Sequence, residues 1–253
     1  MITLDKDQLS IIAPLFRQHD FDTVILYTVL GGYHGNAVVD SIDKPQVARL
    51  DSGSFTILAG DPSHPAAEEI IKCKPIQFTT PPTSEWADLL EKVFSGNVTE
   101  LKFTECYAHS VKVKHLEDFI NMIPSDYYIA PIDRMLAEKI AGDLDNDYFL
   151  EHFDSVNDFL IRGIGYCILH NNQIVSAATS TAACKHAIDI EIKTHPDYQR
   201  TGLGTIIGAS LVKGCLEQDI EPKWLAANDR SQRLAKKLGY TVGEEYVTFM
   251  IGD

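Results

Sequence analysis

Residues 186–194 read HAIDIEIKT, with Ile188, Ile190 and Ile192 alternating strictly with Asp189, Glu191 and Lys193. A period of two sends neighbouring side chains to opposite faces, so the stretch predicts a strand with one apolar and one charged face. Two antiparallel strands are expected before it, at 163–170 (GIGYCILH) and 173–181 (QIVSAATST), turning at Asn171-Asn172. After it the pattern predicts a helix over 203–217, a strand at 223–227, a helix over 229–238 and a strand at 243–251. Upstream, YYIAPIDRMLAEKIAG reads as a strand and then a helix stopped by Gly142, and a second helix is expected over about 147–161.

The first half alternates elements in the same way. Leu9, Ile12 and Phe16 predict a helix over 5–18 that Pro14 kinks or restarts. Apolar runs at 23–30, 36–42 and 54–59 read as strands, punctuated by Gly31-Gly32 and Gly35-Asn36. A short helix near 65–72, a strand at 75–80, a helix at 84–94 capped by Ser84, a strand at 99–108 and a helix at 114–122 follow. Pro124-Ser125-Asp126 marks the expected junction, giving domains 1–126 and 127–253. The order strand, helix, strand, helix, strand from 54 to 108 repeats that from 186 to 251, which suggests a degenerate second copy of one fold.

Composition narrows the class. At 253 residues the chain has room for two ordinary domains, and 45% hydrophobic with 23% charged residues is the make-up of a soluble globular protein. No apolar run is long enough to span a bilayer, and Met1-Ile2-Thr3-Leu4-Asp5 lacks the basic start and apolar core of a signal peptide. Five scattered cysteines, without zinc-ligand spacing, point to reduced thiols in a cytoplasmic protein and give no reason to expect a metal. A net charge of −14, from 22 basic and 36 acidic residues, argues against nucleic acid and would draw in a cationic partner.

The charged strand runs into Thr194-His195-Pro196-Asp197-Tyr198-Gln199-Arg200-Thr201-Gly202-Leu203-Gly204 and then the predicted helix. Glycines ahead of a helix start let a phosphate approach the backbone amides at the positive end of the helix dipole. A turn with a plain helix cap would show the same two glycines. The run Gln199-x-x-Gly202-x-Gly204, its His-Pro-x-Tyr approach, Asn228 at a strand end and the close Lys237-Leu238-Gly239-Tyr240 together resemble the GNAT superfamily of acyltransferases. The element order over 127–251 is similar to that family's as well. The resemblance implies an α/β fold of the α+β kind: a mixed, mostly antiparallel sheet flanked by helices. More narrowly, Gly35 to Asp40, Tyr128 to Asp133 and Gly163 to Cys167 resemble the zwittermicin-resistance type of the family.

What the resemblance implies is an N-acetyltransferase that moves an acetyl group from acetyl-CoA to a primary amine, without a metal. Backbone at Ile192, Lys193 and Thr194 would pair with the acyl-pantetheine arm. Gln199, Arg200, Thr201, Gly202, Leu203, Gly204 and Thr205 would hold the pyrophosphate, and Asn228 would bond the arm or cap the following helix. Glu191 stands where the family often places a general base, although a structural carboxylate is the other reading. His195 titrates in a useful range but is equally a loop residue. The family's usual thiolate-protonating tyrosine is replaced by Ala235, leaving Ser231, Tyr240 or water as substitutes. Asp143, Asp145, Asp147, Glu151, Asp154 and Asp158 form an acidic run that would attract a small cationic amine, an antibiotic among the candidates, or would simply be a solvated helix face. The alternatives are a non-catalytic acyl-CoA-binding module and an enzyme for peptide amines; either a monomer or a homodimer fits. In the first half, the loop Gly60-Asp61-Pro62-Ser63-His64-Pro65 has no two-glycine cradle and carries an acid, so that copy is not expected to bind CoA. It is expected to shape the acceptor cleft instead.

Overall fold

The computed structural model describes residues 1–17, 19–21, 23–142 and 149–252. It is a mixed α/β fold whose sheet strands are largely antiparallel and flanked by helices. The chain forms two compact units, Met1–Phe103 with Tyr246–Asp253, and Thr104–Glu245. The compact units therefore divide at 103/104, and residue 126, where the Pro-Ser-Asp turn suggested a junction, falls inside the second. The reason is strand pairing: β6 (Val98–Tyr107) places Thr104–Cys106 against β11 (Glu221–Ala226), and β12 (Thr241–Ile251) places Phe249 and Met250 against β5 (Phe78–Thr79).

In the first unit β1 (Ile2–Leu4), β2 (Asn36–Val39), β3 (Val47–Ser52) and β4 (Phe55–Gly60) pair antiparallel in turn, and β4 pairs parallel with β5. Residues 23–30, expected as a strand, form helix α1 (Thr23–Leu30). A short, mostly apolar run satisfies either geometry, and here five of its eight residues are buried while Thr28 Oγ1 donates to Val24 O. The helix expected over 5–18 is instead two 3-10 turns, Lys6–Ile11 and Ala13–Phe16, because Pro14 has no N–H to donate and crowds the preceding turn. Gln18 lies outside the described residues. Helices α2 (Ala66–Lys72) and α3 (Ser84–Phe94) follow, the latter capped by Thr83 rather than Ser84, with Thr83 Oγ1 accepting from Trp86 N. β3 was not expected; its centre is the buried Arg49, whose guanidinium donates to the carbonyls of Ile71, Lys74 and Pro75 at the end of α2 and to Asp51.

The second unit repeats that strand order. β7 (Tyr127–Pro131), β8 (Gly165–His170), β9 (Gln173–Ala183) and β10 (Ala187–Thr194) pair antiparallel in turn, and β10 pairs parallel with β11. Helix α4 (Val113–Ile120) precedes β7, and α5 (Arg134–Ala141) and α6 (Val156–Arg162) lie between β7 and β8. The helix expected over 147–161 starts only at Val156, where Ser155 Oγ accepts from Asp158 N; its first two residues fall among 143–148, outside the described residues. Helix α7 (Leu203–Leu216) is apolar nearly all round because it is covered on all sides, with Leu203, Ile206, Ile207 and Leu211 in one core and Ala209 and Val212 in another. Helix α8 (Asp229–Leu238) closes on Gly239 in a left-handed cap.

Candidate functional site

β10 and β11 are paired from Ala187–Glu221 to Asp189–Lys223, and among the described residues no pair continues the ladder. A bulge in the β9 pairing falls at the same point, between Asp189 and Ile190. Beyond it the strands part, and a cleft of about 480 Å3 opens, lined by Ile190–Thr194 on one side and by Trp224, Asn228, Arg230 and Ser231 on the other. Parallel strands that part in this way leave backbone groups free for an extended ligand arm. Ile192, Lys193 and Thr194 all line this cleft, with Gln199 and Gly204 at its far end.

The loop that follows is held in shape by its own groups. Asp197 N donates to His195 Nδ1 (3.3 Å), Gln199 Nε2 to Thr194 O (3.2 Å), and Thr201 Oγ1 to Tyr198 O (2.6 Å). The Tyr198 hydroxyl meets His170 Nδ1 at 3.1 Å; the other ring nitrogen of His170 lies 3.2 Å from Asp126, and Tyr127 stacks on the imidazole at 4.3 Å. Arg200 has φ 63° and Gly202 φ 94°, so two left-handed residues turn the amides outward ahead of α7. Among the described residues, the amides of Arg200 to Gly204 meet no carbonyl. A Cβ added at Gly202 would meet nothing within 4 Å, and one at Gly204 only Thr194 Oγ1 at 3.4 Å. Protein packing leaves the space at Gly204 open at a helix start whose preceding amides have no backbone partner, which is what a phosphate cradle requires. The residues present therefore fit the pyrophosphate of CoA.

The other candidates separate. Glu191 lines the cleft, and burial, the nearest cause, lifts its carboxyl above the ordinary glutamate range; Glu151 pushes the same way and Lys193 opposes. Ser231 also lines the cleft; its Oγ accepts from Trp224 Nε1 (3.0 Å), which leaves its own proton free to donate. Asn228 lines the cleft while its Oδ1 caps α8 through Ser231 N (3.0 Å), so its side-chain NH2 is what remains for a ligand. His195 is brought not into this cleft but to a neighbouring cavity. Leu203 and Thr205 bury their side chains, and Thr205 Oγ1 accepts from Lys237 (3.4 Å). Tyr240 is removed from the substitutes for the missing tyrosine: it is buried and its hydroxyl donates to Pro222 O (3.0 Å). Ala235 is itself fully buried against Trp224 and Leu238. Trp224 and Arg230 were missed; a tryptophan in a short strand and an arginine in a helix's first turn carry no signal until the strands are seen to part.

Of the acidic run, Asp143, Asp145 and Asp147 lie outside the described residues, and Asp158 is bonded to Arg162. All five cysteines are free, and burial raises Cys167 to about 11 and Cys215 to about 12. Among the described residues no group of three His, Cys, Asp or Glu could hold a metal ion, and no helix is long and apolar enough to cross a membrane.

A strand that parts from its parallel neighbour and runs into a glycine-bearing loop ahead of a helix places the fold in the acetyltransferase class. The chain belongs to the GNAT acetyltransferase family, whose model matches residues 13–249. It is similar to the uncharacterized N-acetyltransferase YdfB of Bacillus subtilis (strain 168), 26% identical over 169 residues; the match spans 66% of this chain and 63% of that protein. The GCN5-related N-acetyltransferase-like protein of Streptococcus suis 89/1591 superposes with a TM-score of 0.85 at 31% identity, over 97% of this chain and 99% of that one. A tandem GNAT protein from the clavulanic acid biosynthesis pathway shares the fold, with a TM-score of 0.60 at 12% identity over 96% and 92% of the two chains.

Proposed function

We propose that the protein transfers the acetyl group of acetyl-CoA to the primary amine of a small molecule. The observation that carries this is the joint presence, in one cleft, of the loop residues Gln199 and Gly204 and a part-buried Glu191 held above its ordinary range. The thioester supplies the acetyl carbon; the acceptor nitrogen bonds to it as the carbon–sulfur bond breaks. Ile192 to Thr194 position the arm alongside β10, and the amides of Arg200 to Gly204 with Gln199 fix the phosphates. Glu191 takes the proton from the acceptor ammonium, a task suited to a carboxylate poised nearer neutrality. Ser231 offers its hydroxyl proton to the departing sulfur. Glu191 and Glu151 together draw in an ammonium group. The resemblance to the zwittermicin-resistance type keeps an aminated antibiotic among the acceptors.

A second reading, a non-catalytic acyl-CoA-binding module, is favoured by Ala235, buried where the family carries its acid. Thermal shift with acetyl-CoA and thiol release with a panel of amines separates the two. The enzyme reading expects stabilisation by acetyl-CoA and amine-dependent thiol release that drops by about a hundredfold or more in Glu191→Gln. Stabilisation without release from any amine supports the binding module, and no stabilisation at all removes both.

A further inference from the structure

Beside the cofactor cleft lies a second cavity of about 620 Å3, walled by the end of α5, the start of β9 and the end of β10. It shares Lys193, Thr194 and Gln199 with the cleft, so the two adjoin at the end of β10. Among the described residues its lining includes Lys139, Lys193 and His195 and no carboxylate. In a chain with 36 acidic and 22 basic residues that is an inversion of the overall charge. The volume is that of a small-molecule site.

The surrounding groups define what would fit. Lys139 Nζ donates to the carbonyl of Asn172 at 3.4 Å, a neutral partner that leaves its charge uncompensated by that bond. Lys193 stands two residues beyond Glu191 on the same face of β10, about 7 Å along an extended strand. Glu191 and Asp197, which lies 3.9 Å from His195 Nδ1, are the carboxylates that border the region from β10 and its loop. An amine at Glu191 would place the remainder of a short molecule at the lysines.

We propose that this cavity holds an anionic group of the acceptor, so that the substrate is a zwitterion whose amine meets Glu191 and whose carboxylate or phosphate meets Lys139 and Lys193. His195 is then a wall of the specificity pocket and not a base. The inference rests on the transferase reading, and it changes the expected acceptor from a small cationic amine to a molecule of mixed charge. A lysine ammonium facing an anion forms a charge-assisted contact worth about tenfold in affinity.

The test compares acceptors of matched length: 4-aminobutyrate and 6-aminohexanoate against butylamine, hexylamine and 1,6-diaminohexane, with O-phosphoethanolamine to tell phosphate from carboxylate. Thiol release from acetyl-CoA should show kcat/KM about tenfold higher for the anion-bearing amines. Lys139→Met, outside the cofactor cleft, should remove that preference while leaving the KM of acetyl-CoA and the rates with plain amines unchanged. Equal or better turnover of the diamine, or a Lys139→Met variant that retains the preference, overturns the inference. If no amine is turned over, calorimetric binding of 6-aminohexanoate in the presence of CoA decides. Binding weakened by Lys139→Met keeps the cavity while the transferase reading falls, and absence of binding removes the inference as well.

Discussion

Glu191 is the residue on which the proposed chemistry turns, and its surroundings predict how it responds. Burial and Glu151 raise its pKa, whereas Lys193 lowers it. The rising limb of the pH–rate profile should therefore move to lower pH in Glu151→Gln and to higher pH in Lys193→Met. Movement of both limbs in one direction would contradict the assignment. The sign for stability follows from the same shift. A carboxyl with a raised folded-state pKa holds its proton more tightly when folded, so stability is lost as pH climbs from the ordinary glutamate range through the folded value. Glu191→Gln should melt higher than the parent at pH 8, with the gap closing toward pH 4; a lower melting temperature at both would show that the carboxylate is structural. Glu191 was legible in the sequence because strict alternation put it on the charged face of one strand. Tyr240 was not excludable there, since its hydroxyl's partner, Pro222 O, comes from the neighbouring strand and not from any local pattern.

At the scale of elements, the cradle is positioned by a contact from a distant hairpin. His170 ends β8, and its ring nitrogen meets the hydroxyl of Tyr198, four residues before the cradle's left-handed turn is complete at Gly202. A hydrogen bond of this kind contributes about 1 kcal/mol. Tyr198→Phe should raise the KM of acetyl-CoA about fivefold with kcat within twofold of the parent, as read by initial rates. A fall in kcat with KM unchanged would place the contact elsewhere in the reaction. The loop itself was readable from Gln199, Gly202 and Gly204, because φ > 0 and close backbone approach restrict residue type. Helix α1 was not readable, since TVILYTVL suits a buried helix and a buried strand equally. β3 escaped for the opposite reason: a buried arginine interrupts its apolar run and is tolerated only because carbonyls at the end of α2 satisfy it.

Across the whole molecule, the two units carry the same strand order, three antiparallel pairings and then a parallel one. This repeat was legible as element order, but the points where the chain changes unit were not, because strand partners far apart in sequence set them. The two loops after the matching strands differ in chemistry. In the first unit, Asp61 accepts from Ser63 N and Oγ, and those bonds hold its carboxyl below the ordinary range, so a negative charge occupies the loop. Trp86, at the third residue of α3 as Ser231 is at the third of α8, is fully buried and donates its indole N–H to Gly60 O at 3.1 Å. An indole thus fills the position that opens onto the cleft in the second unit. One chain should hold one acetyl-CoA, at the loop from Gln199 to Gly204. Isothermal titration of CoA into the parent protein and into Gly204→Glu tests this most directly. The expected result is one molecule per chain for the parent and none for a variant whose melting temperature is unchanged; two per chain, or undiminished binding by folded Gly204→Glu, would contradict it.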